Sequence, residues 1–431
     1  MSASVVVVAR VAPRARRTRG RGARGDETRR ARGGRARGNA RAASTRAERG
    51  GADAEAFVFG IGFLGRELAR ELRERGFAVR GTTRAEEAAA AAGAATEIFT
   101  WDGDRASAMT FERAVARASV VVSCVPPVEG ENAIGGWVDP VYEAFAETLA
   151  RGVDGGRFFG YCSTTSVYGG RGGGWVDESS SCEPVSAKAR ARLEAEERWR
   201  ALGAASDGRL RVTRFRLGGI YGPGRSAFET AARRASGNVD SESASSRARD
   251  SREFTSRVHV RDAANVIASA ALAGKDASDV YNVVDDYPTS RQSAVRFAGQ
   301  ISGIAPGDER ETARASAKDV SPRVRGGEKR VRNDLIKREL ARFGSRKCLE
   351  FPSAYHGLRN IAVMEGKLPP DEAFDAWFDE KFPKLLAGEY DGVRCFRVEA
   401  TEIVNDSHGD AMEMKRDEDH GRWYFEFVRR E

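Results

Sequence analysis

Short apolar runs recur along the first half of the folded region, separated by stretches of helical period. AFVF (56–59), FAVRGTTR (77–84), EIFT at the head of EIFTWDGD (97–104), SVVVSCV at the head of SVVVSCVPP (119–127), RFFGYCST (157–164) and RLRVTRFRL (209–217) read as buried strands. Between them, Leu64, Leu68 and Leu72 share one helix face that stops at Gly76. An alanine-rich helix is predicted over 85–95, with Gly93 near its end, and FERAVARA (111–118) predicts another. Residues 136–151 place Trp137, Val141, Phe145 and Leu149 at helical spacing, a core-facing stripe. VYNVVDD (280–286) adds a further strand. Strand and helix in alternation predict an α/β fold built on a doubly wound parallel (Rossmann) sheet.

The first strand and helix are joined by Gly60, Gly62 and Gly65 in G-x-G-x-x-G spacing. The first glycine allows a tight turn, the second lets backbone approach a pyrophosphate, and the third lets helix pack closely on strand. The helix start then offers free N–H groups and partial positive charge to phosphates. Gly60, Gly62, Phe63, Leu64 and Gly65 are therefore candidate cofactor contacts; a glycine-rich turn without a ligand is the plainer alternative. The second strand ends in Thr82, Thr83 and Arg84, about twenty residues on, where such folds read the adenosine ribose. Hydroxyls and a guanidinium there suit a 2′-phosphate, so NADP(H) is expected ahead of NAD(H). Asp102 falls where related folds touch the adenine, and Val125 at the ligand-facing end of the fourth strand.

Charge divides the chain. The whole carries net +8, but residues 1–50 hold 15 Arg against Asp26, Glu27 and Glu48, so the remainder is −4. A general nucleic-acid reading of the basic pI therefore fails. Residues 1–52 are rich in Ala, Arg, Gly and Ser without hydrophobic periodicity, the pattern of a disordered organelle transit peptide, chloroplast first and mitochondrion second. A basic tail for anionic partners is the alternative. Cys124, Cys162, Cys182, Cys348 and Cys395 are scattered, with no C-x-x-C, and the four histidines lack ligand spacing, so no metal site or disulfide framework is expected. No apolar run approaches the length of a membrane span.

Further along, 229–254 is rich in Ser, Arg, Asp and Glu and is expected to be a flexible insertion, with a lid as the bolder reading. His259 and Asp262 fall in RVHVRD, with Asp262 read as a helix N-cap. Residues 371–387 carry Phe374, Trp377, Phe378, Phe382 and Leu385 at helical spacing, and 393–404 and 422–430 alternate like strands. The expected organisation is a dinucleotide-binding domain over 53–363, its smaller C-terminal substrate lobe mainly 220–363, and a helix-plus-hairpin appendage over 364–431 that docks or recruits a protein partner.

GIGFLG (60–65), STTSVYG (163–169), RLGGIYGPGR (216–225) and RVHVRD (257–262), followed by KRVRNDLIKREL (329–340) and EFPSAYHGL (350–358), resemble in order and spacing the extended short-chain dehydrogenase/reductases, the NAD-dependent epimerase/dehydratase family. The resemblance covers roughly 56–363. It implies a Ser or Thr, a Tyr and a Lys four residues later as the chemical machinery, with a small-molecule substrate such as a sugar-nucleotide and a homodimer. Thr164 matches the Ser/Thr position. The Tyr-x-x-x-Lys does not match: the corresponding PVSAKARARLEAEE (184–197) places Lys188 at the tyrosine and Arg192 at the lysine. This is the pattern of an atypical branch. Lys188, if buried one helical turn from Arg192, would be a substitute acid or base; Asp177 and Glu178 are other candidates, and two solvated charges are the plain alternative. Three functions follow: an NADP(H)-dependent enzyme on a small polar metabolite, a catalytically silent cofactor-binding sensor or scaffold, and, less favoured by the charge, an RNA-binding member.

Overall fold

The computed structural model describes residues 54–87, 91–130, 136–236, 254–304, 328–340, 348–368, 411–416 and 423–428, with Asp250, Arg252, Phe343 and Pro370. Residues 50–369 form one compact unit. Its centre is a sheet of β1 (Glu55–Phe59), β2 (Ala78–Thr83), β3 (Glu97–Thr100), β4 (Val120–Ser123), β5 (Arg157–Thr164), β6 (Leu210–Leu217) and β7 (Val280–Val283). All neighbours pair in parallel, in the order β3-β2-β1-β4-β5-β6-β7. This is the doubly wound architecture read from the alternation, with its reversal of winding between β1 and β4.

Burial on both sheet faces follows from the period-two alternation within each strand. Ala56 and Val58 of β1 face Leu64, Leu68 and Leu72 of α1 (Phe63–Glu74). Phe57 and Phe59 face the opposite layer, where the Phe111 ring lies 5.7 Å from Phe57, 5.8 Å from Trp101 and 5.5 Å from Phe145. That layer holds α2 (Glu112–Arg117), α3 (Pro140–Ala150) and α4 (Ala187–Ala204). Arg157 at the foot of β5 is fully buried and donates to the carbonyls of Ala116, Ala118, Thr148 and Leu149, the last turns of α2 and α3. Burial pulls its guanidinium down to about 10, and the two helix C-termini supply the acceptors that a buried cation needs.

Several expectations change. Of the helix predicted over 85–95, Ala85–Glu87 form a 3₁₀ turn and Ala91 is helical, with 88–90 outside the described residues. The stripe over 136–151 begins late: Asp139 caps the helix by accepting from the Val141 and Tyr142 N–H groups, and Pro140 fixes its first turn. Trp137 is therefore off the helix, half-buried on a short strand with Val138 that pairs with Val128–Glu129. The insertion expected over 229–254 begins within a helix: α5 (Ala227–Ala235) has a Ser226–Glu229 capping box and buries Ala231, and Asp250 binds Arg234 at 2.6 Å and Arg291 at 2.5 Å. Residues 237–249 lie outside the described residues.

Asp262 is not an N-cap. His259 caps α6 (Val260–Ala273), its Nδ1 accepting from the Arg261 N–H, while Asp262 accepts from Glu350 N at 2.7 Å and Phe351 N at 2.9 Å. Burial raises the Asp262 carboxyl to about 7 despite those two donors. A carboxyl with a folded pKa above its unfolded value of about 3.9 binds its proton more tightly when folded. Its contribution is therefore full below pH ~4 and lost as pH rises through ~7. Asp262→Asn is expected to flatten this part of the stability profile. Urea midpoints of parent and variant at mildly acidic and mildly alkaline pH test it, and an unchanged slope would exclude Asp262 as the source.

The described part of the C-terminal region is a hairpin of Ala411–Arg416 and Trp423–Val428, paired from Ala411↔Val428 to Arg416↔Trp423. The strand expected at 422–430 is present, but its partner is 411–416; 393–404 and 371–387 lie outside the described residues. The shorter link costs less closure entropy.

Candidate functional site

A cleft of about 360 Å³ opens at the C-terminal ends of β1, β4, β5 and β6. Its floor is the β1–α1 turn. Gly60 has φ +85, a conformation that disfavours side chains, and donates its N–H to Thr82 Oγ1 at 3.1 Å. At Gly65 a Cβ would meet the Gly60 carbonyl oxygen at 2.1 Å, so helix and turn touch backbone to backbone. Gly62 occupies the N-cap of α1 with no side-chain cap, and no acid lies in the first turn. The first N–H groups are left to a ligand. The turn thus has the tight bend, close approach and open helix terminus that a pyrophosphate needs.

The walls come from β5, β6 and the helix after the β5 loop. Thr164 ends β5 and accepts from the Ser166 N–H at 3.1 Å, which holds its hydroxyl at the cleft. Ser163 donates to Glu196 at 2.5 Å. Glu196, wholly buried on α4, also accepts from Arg216 at 2.8 and 3.2 Å. Arg192, one turn earlier on α4, donates to the Cys162 carbonyl and lies over the Tyr161 ring. Arg225 follows the glycine-rich turn after β6 and stacks 5.2 Å over Phe63. Among the described residues, two guanidinium groups and no carboxylate line the cleft, so its field favours anions.

Of the residues singled out from the sequence, Gly60, Gly62, Phe63, Leu64, Gly65, Thr164 and Arg192 meet in this cleft. Val125 abuts its floor, 3.3 Å from where a Gly60 Cβ would stand. Thr83 is buried at the end of β2. Arg84 is exposed there and ion-paired with Glu86 at 2.7 Å and with Glu87, whose carboxylate lies beside Gly62. The Glu87 hydrogen bond and the nearby Glu87, Glu86 and Asp102 charges raise its pKa. Asp102 is itself exposed.

Lys188 is exposed at the second residue of α4 and does not line the cleft. The burial expected of it is missing because Ser186 caps α4 only two residues before, leaving Lys188 on the helix's open first turn. Asp177 and Glu178 are also outside the cleft. Hydrogen bonds from Ser179 and Ser180 hold Asp177 low, and burial raises Glu178, which accepts from the Asn282 N–H at 2.8 Å. Ser163, Arg225 and Cys162 join the cleft without having been expected there from the sequence, and Cys124 joins it from the ligand-facing end of β4. Arg225 was legible in principle, as the cation closing a glycine-rich turn; the others needed strand register.

Residues 56–283 match the model of the NAD dependent epimerase/dehydratase family. Among solved structures, a functionally unknown conserved protein from Silicibacter pomeroyi is 29% identical, with TM-score 0.54, covering 72% of this chain and 99% of that one. A putative NAD-dependent epimerase/dehydratase from Methylobacillus flagellatus is 22% identical, with TM-score 0.51 and coverage of 73% and 99%. MoeE5, in complex with UDP-glucose and NAD, is 20% identical, again with TM-score 0.51 and coverage of 73% and 99%. The last two are similar in fold. No curated protein matches the chain.

Proposed function

The chain belongs to the NAD dependent epimerase/dehydratase family, and from that premise we propose that it binds a nicotinamide dinucleotide in the cleft and acts on a sugar-nucleotide or another small anionic metabolite. The observation that carries this reading is the backbone contact of Gly65 with Gly60 beneath an uncapped α1 terminus, beside Arg192 and Arg225. The amides of the glycine turn would hold the pyrophosphate, Arg192 the nicotinamide ribose, and Arg225 the anionic part of the substrate. Thr164 would orient the reacting hydroxyl. The bound nicotinamide would supply or accept hydride. The presence of UDP-glucose and NAD in MoeE5, a protein of the same fold, favours this substrate class.

NADP(H) is the proposed form, on the strength of Arg84, with NAD(H) favoured instead by Glu87 beside Gly62. A 2′-phosphate must draw Arg84 from its two carboxylates, whereas a 2′-hydroxyl could donate to Glu87. Arg84→Ala is expected to weaken NADPH about ten-fold while leaving NADH unchanged. Nicotinamide fluorescence titrations of parent and variant measure both; equal losses for the two nucleotides would remove Arg84 from 2′-phosphate recognition.

A second reading, a cofactor-binding sensor without turnover, is favoured by one feature of the site. Among the described residues, the cleft lining contains no Tyr, His, Lys, Asp or Glu, and Lys188 is exposed outside it. Incubation of the full chain with dinucleotide and a panel of UDP-sugars, followed by product chromatography, separates the two. Turnover that Lys188→Ala abolishes with nucleotide affinity intact supports the enzyme and Lys188 as its acid or base. Tight nucleotide binding with no turnover on any sugar supports the sensor. For residues 1–52 we propose organelle targeting, chloroplast first, which an import assay on the isolated segment fused to a fluorescent protein tests.

A further inference from the structure

We infer that Cys124 and Cys162 are a disulfide-forming thiol pair in the wall of the cleft, and that their oxidation closes the cleft to the dinucleotide. Ser123 stands opposite Tyr161 in the parallel β4–β5 ladder, so the next residues, Cys124 and Cys162, are lateral neighbours. Cys124 extends the strand, its N–H bonded to the Phe59 carbonyl at 2.9 Å. Both side chains pack in one layer, and their Sγ atoms lie 3.7 Å apart. Adjacent strands are spaced about 4.8 Å, inside the ~4.4–6.8 Å Cα separation that a disulfide spans. Both thiols are free and both line the cleft.

The two sulfurs differ in access. Cys162 is buried, and the neighbouring Cys124 thiol together with burial holds its pKa high, against the pull of Arg192. Cys124 is only partly buried and meets the oxidant first. Its thiolate attacks one sulfur of a small-molecule disulfide such as oxidised glutathione; the S–S bond breaks and one glutathione thiolate leaves. Cys162 then loses its proton, attacks Cys124 Sγ and expels the second glutathione thiolate. Two protein thiols have given up two electrons and two protons, and one disulfide has become two thiols. Cys124 Cβ lies 3.6 Å from where a Gly60 Cβ would stand, so drawing its sulfur toward β5 disturbs the wall against the first glycine of the turn.

The effect on affinity rests on the dinucleotide reading of the cleft; the disulfide itself does not. The full chain is equilibrated in glutathione buffers of graded redox ratio, alkylated and peptide-mapped, and the reduced and oxidised forms are titrated with NADPH and NADH. A disulfide joining the Cys124 and Cys162 peptides is expected, with about ten-fold weaker binding of the preferred nucleotide, restored by dithiothreitol. Bound nucleotide should shift the thiol–disulfide equilibrium toward the dithiol by the same factor, because linkage makes the coupling reciprocal. Cys124→Ala should lose the sensitivity to oxidant, whatever its affinity when reduced, because the buried Cys162 does not meet the oxidant by itself. Absence of the Cys124–Cys162 link in the folded protein, an unchanged affinity once it forms, or equal oxidant sensitivity in Cys124→Ala would overturn the inference. Mapping needs no nucleotide, so failure of the reduced protein to bind either one would instead overturn the cofactor reading.

Discussion

Gly65→Ala is expected to abolish dinucleotide binding and to destabilise the domain. A Cβ at this position stands 2.1 Å from the Gly60 oxygen and 2.9 Å from the Gly60 carbonyl carbon, and both are backbone atoms. No rotamer relieves such a contact; α1 must move off β1. That movement loosens Leu64, Leu68 and Leu72 from the core layer they share with α6. Overpacking of a core costs about 1–3 kcal/mol, and a backbone clash belongs at the upper end. Displacing the helix terminus also removes the N–H groups from the pyrophosphate position, so affinity should fall by about a hundred-fold or more. Gly62→Ala provides the contrast. Its Cβ would make only an ordinary contact, 3.5 Å from Glu87 Oε2, and its backbone is not in the left-handed region. That variant should fold like the parent, so any loss of nucleotide reports the approach of ligand to backbone. Urea unfolding followed by circular dichroism, with nicotinamide titration, measures both variants. Parental affinity in Gly65→Ala would show that this turn is not a phosphate cradle.

Glu196→Ala is expected to cost about 3–5 kcal/mol, the range for removing one partner of a buried ion pair. The carboxylate is fully buried, forked onto Arg216 at 2.8 and 3.2 Å, with Arg214 at 3.9 Å and the Ser163 hydroxyl at 2.5 Å. Burial by itself lowers both guanidinium groups. It prevails at Arg214, whereas the Glu196 hydrogen bonds override it at Arg216 and hold that group above its ordinary value. Without the carboxylate, two arginines remain in the interior, offset by Glu197, 3.6 Å from Arg214 and half-exposed, and by the Asp279 charge. Arg216 also lies over the Tyr168 ring at 4.8 Å, and Tyr168 donates to Asn282 at 2.7 Å, so the disturbance reaches β7. Glu196→Gln keeps the shape and an acceptor but not the charge, and should fall between parent and Glu196→Ala. The shift of the urea midpoint at constant slope measures the series. A loss below about 1 kcal/mol, the value of an exposed pair, would show that water reaches the cluster. Ser163 loses its charged acceptor in both variants, so the cleft should register the change as weaker nucleotide binding.

Gly65 and Glu196 lie on opposite sides of what a linear reading can reach. The β1–Gly60–Gly62–Gly65–α1 unit was legible because each of its determinants is local: a short apolar run, glycines where a side chain would clash, and leucines at helical spacing. The alternation of strands and helices, the basic N-terminal fifty residues and the ordered motifs from GIGFLG to RVHVRD were legible for the same reason. The boundaries that shifted also have local causes, such as Asp139 and Pro140 starting α3 after Trp137. Other features arose only when distant segments met. Lys188 and Arg192 are one turn apart and chemically alike, yet only Arg192 reaches the cleft, because the cap at Ser186 and the seating of α4 on the sheet expose the first turn. Glu196 is one more charge in a charged helix until β6 brings Arg214 and Arg216 against it. Asp262 reads as a cap until the backbone at Glu350 and Phe351 turns toward it. Cys124 and Cys162 look unrelated until the β4–β5 register sets them side by side. Backbone conformation and side-chain period are properties of neighbouring residues, and the chain displays them directly. Burial, charge pairing and the meeting of two thiols depend on which remote surfaces exclude water together, and only the folded sheet decides that.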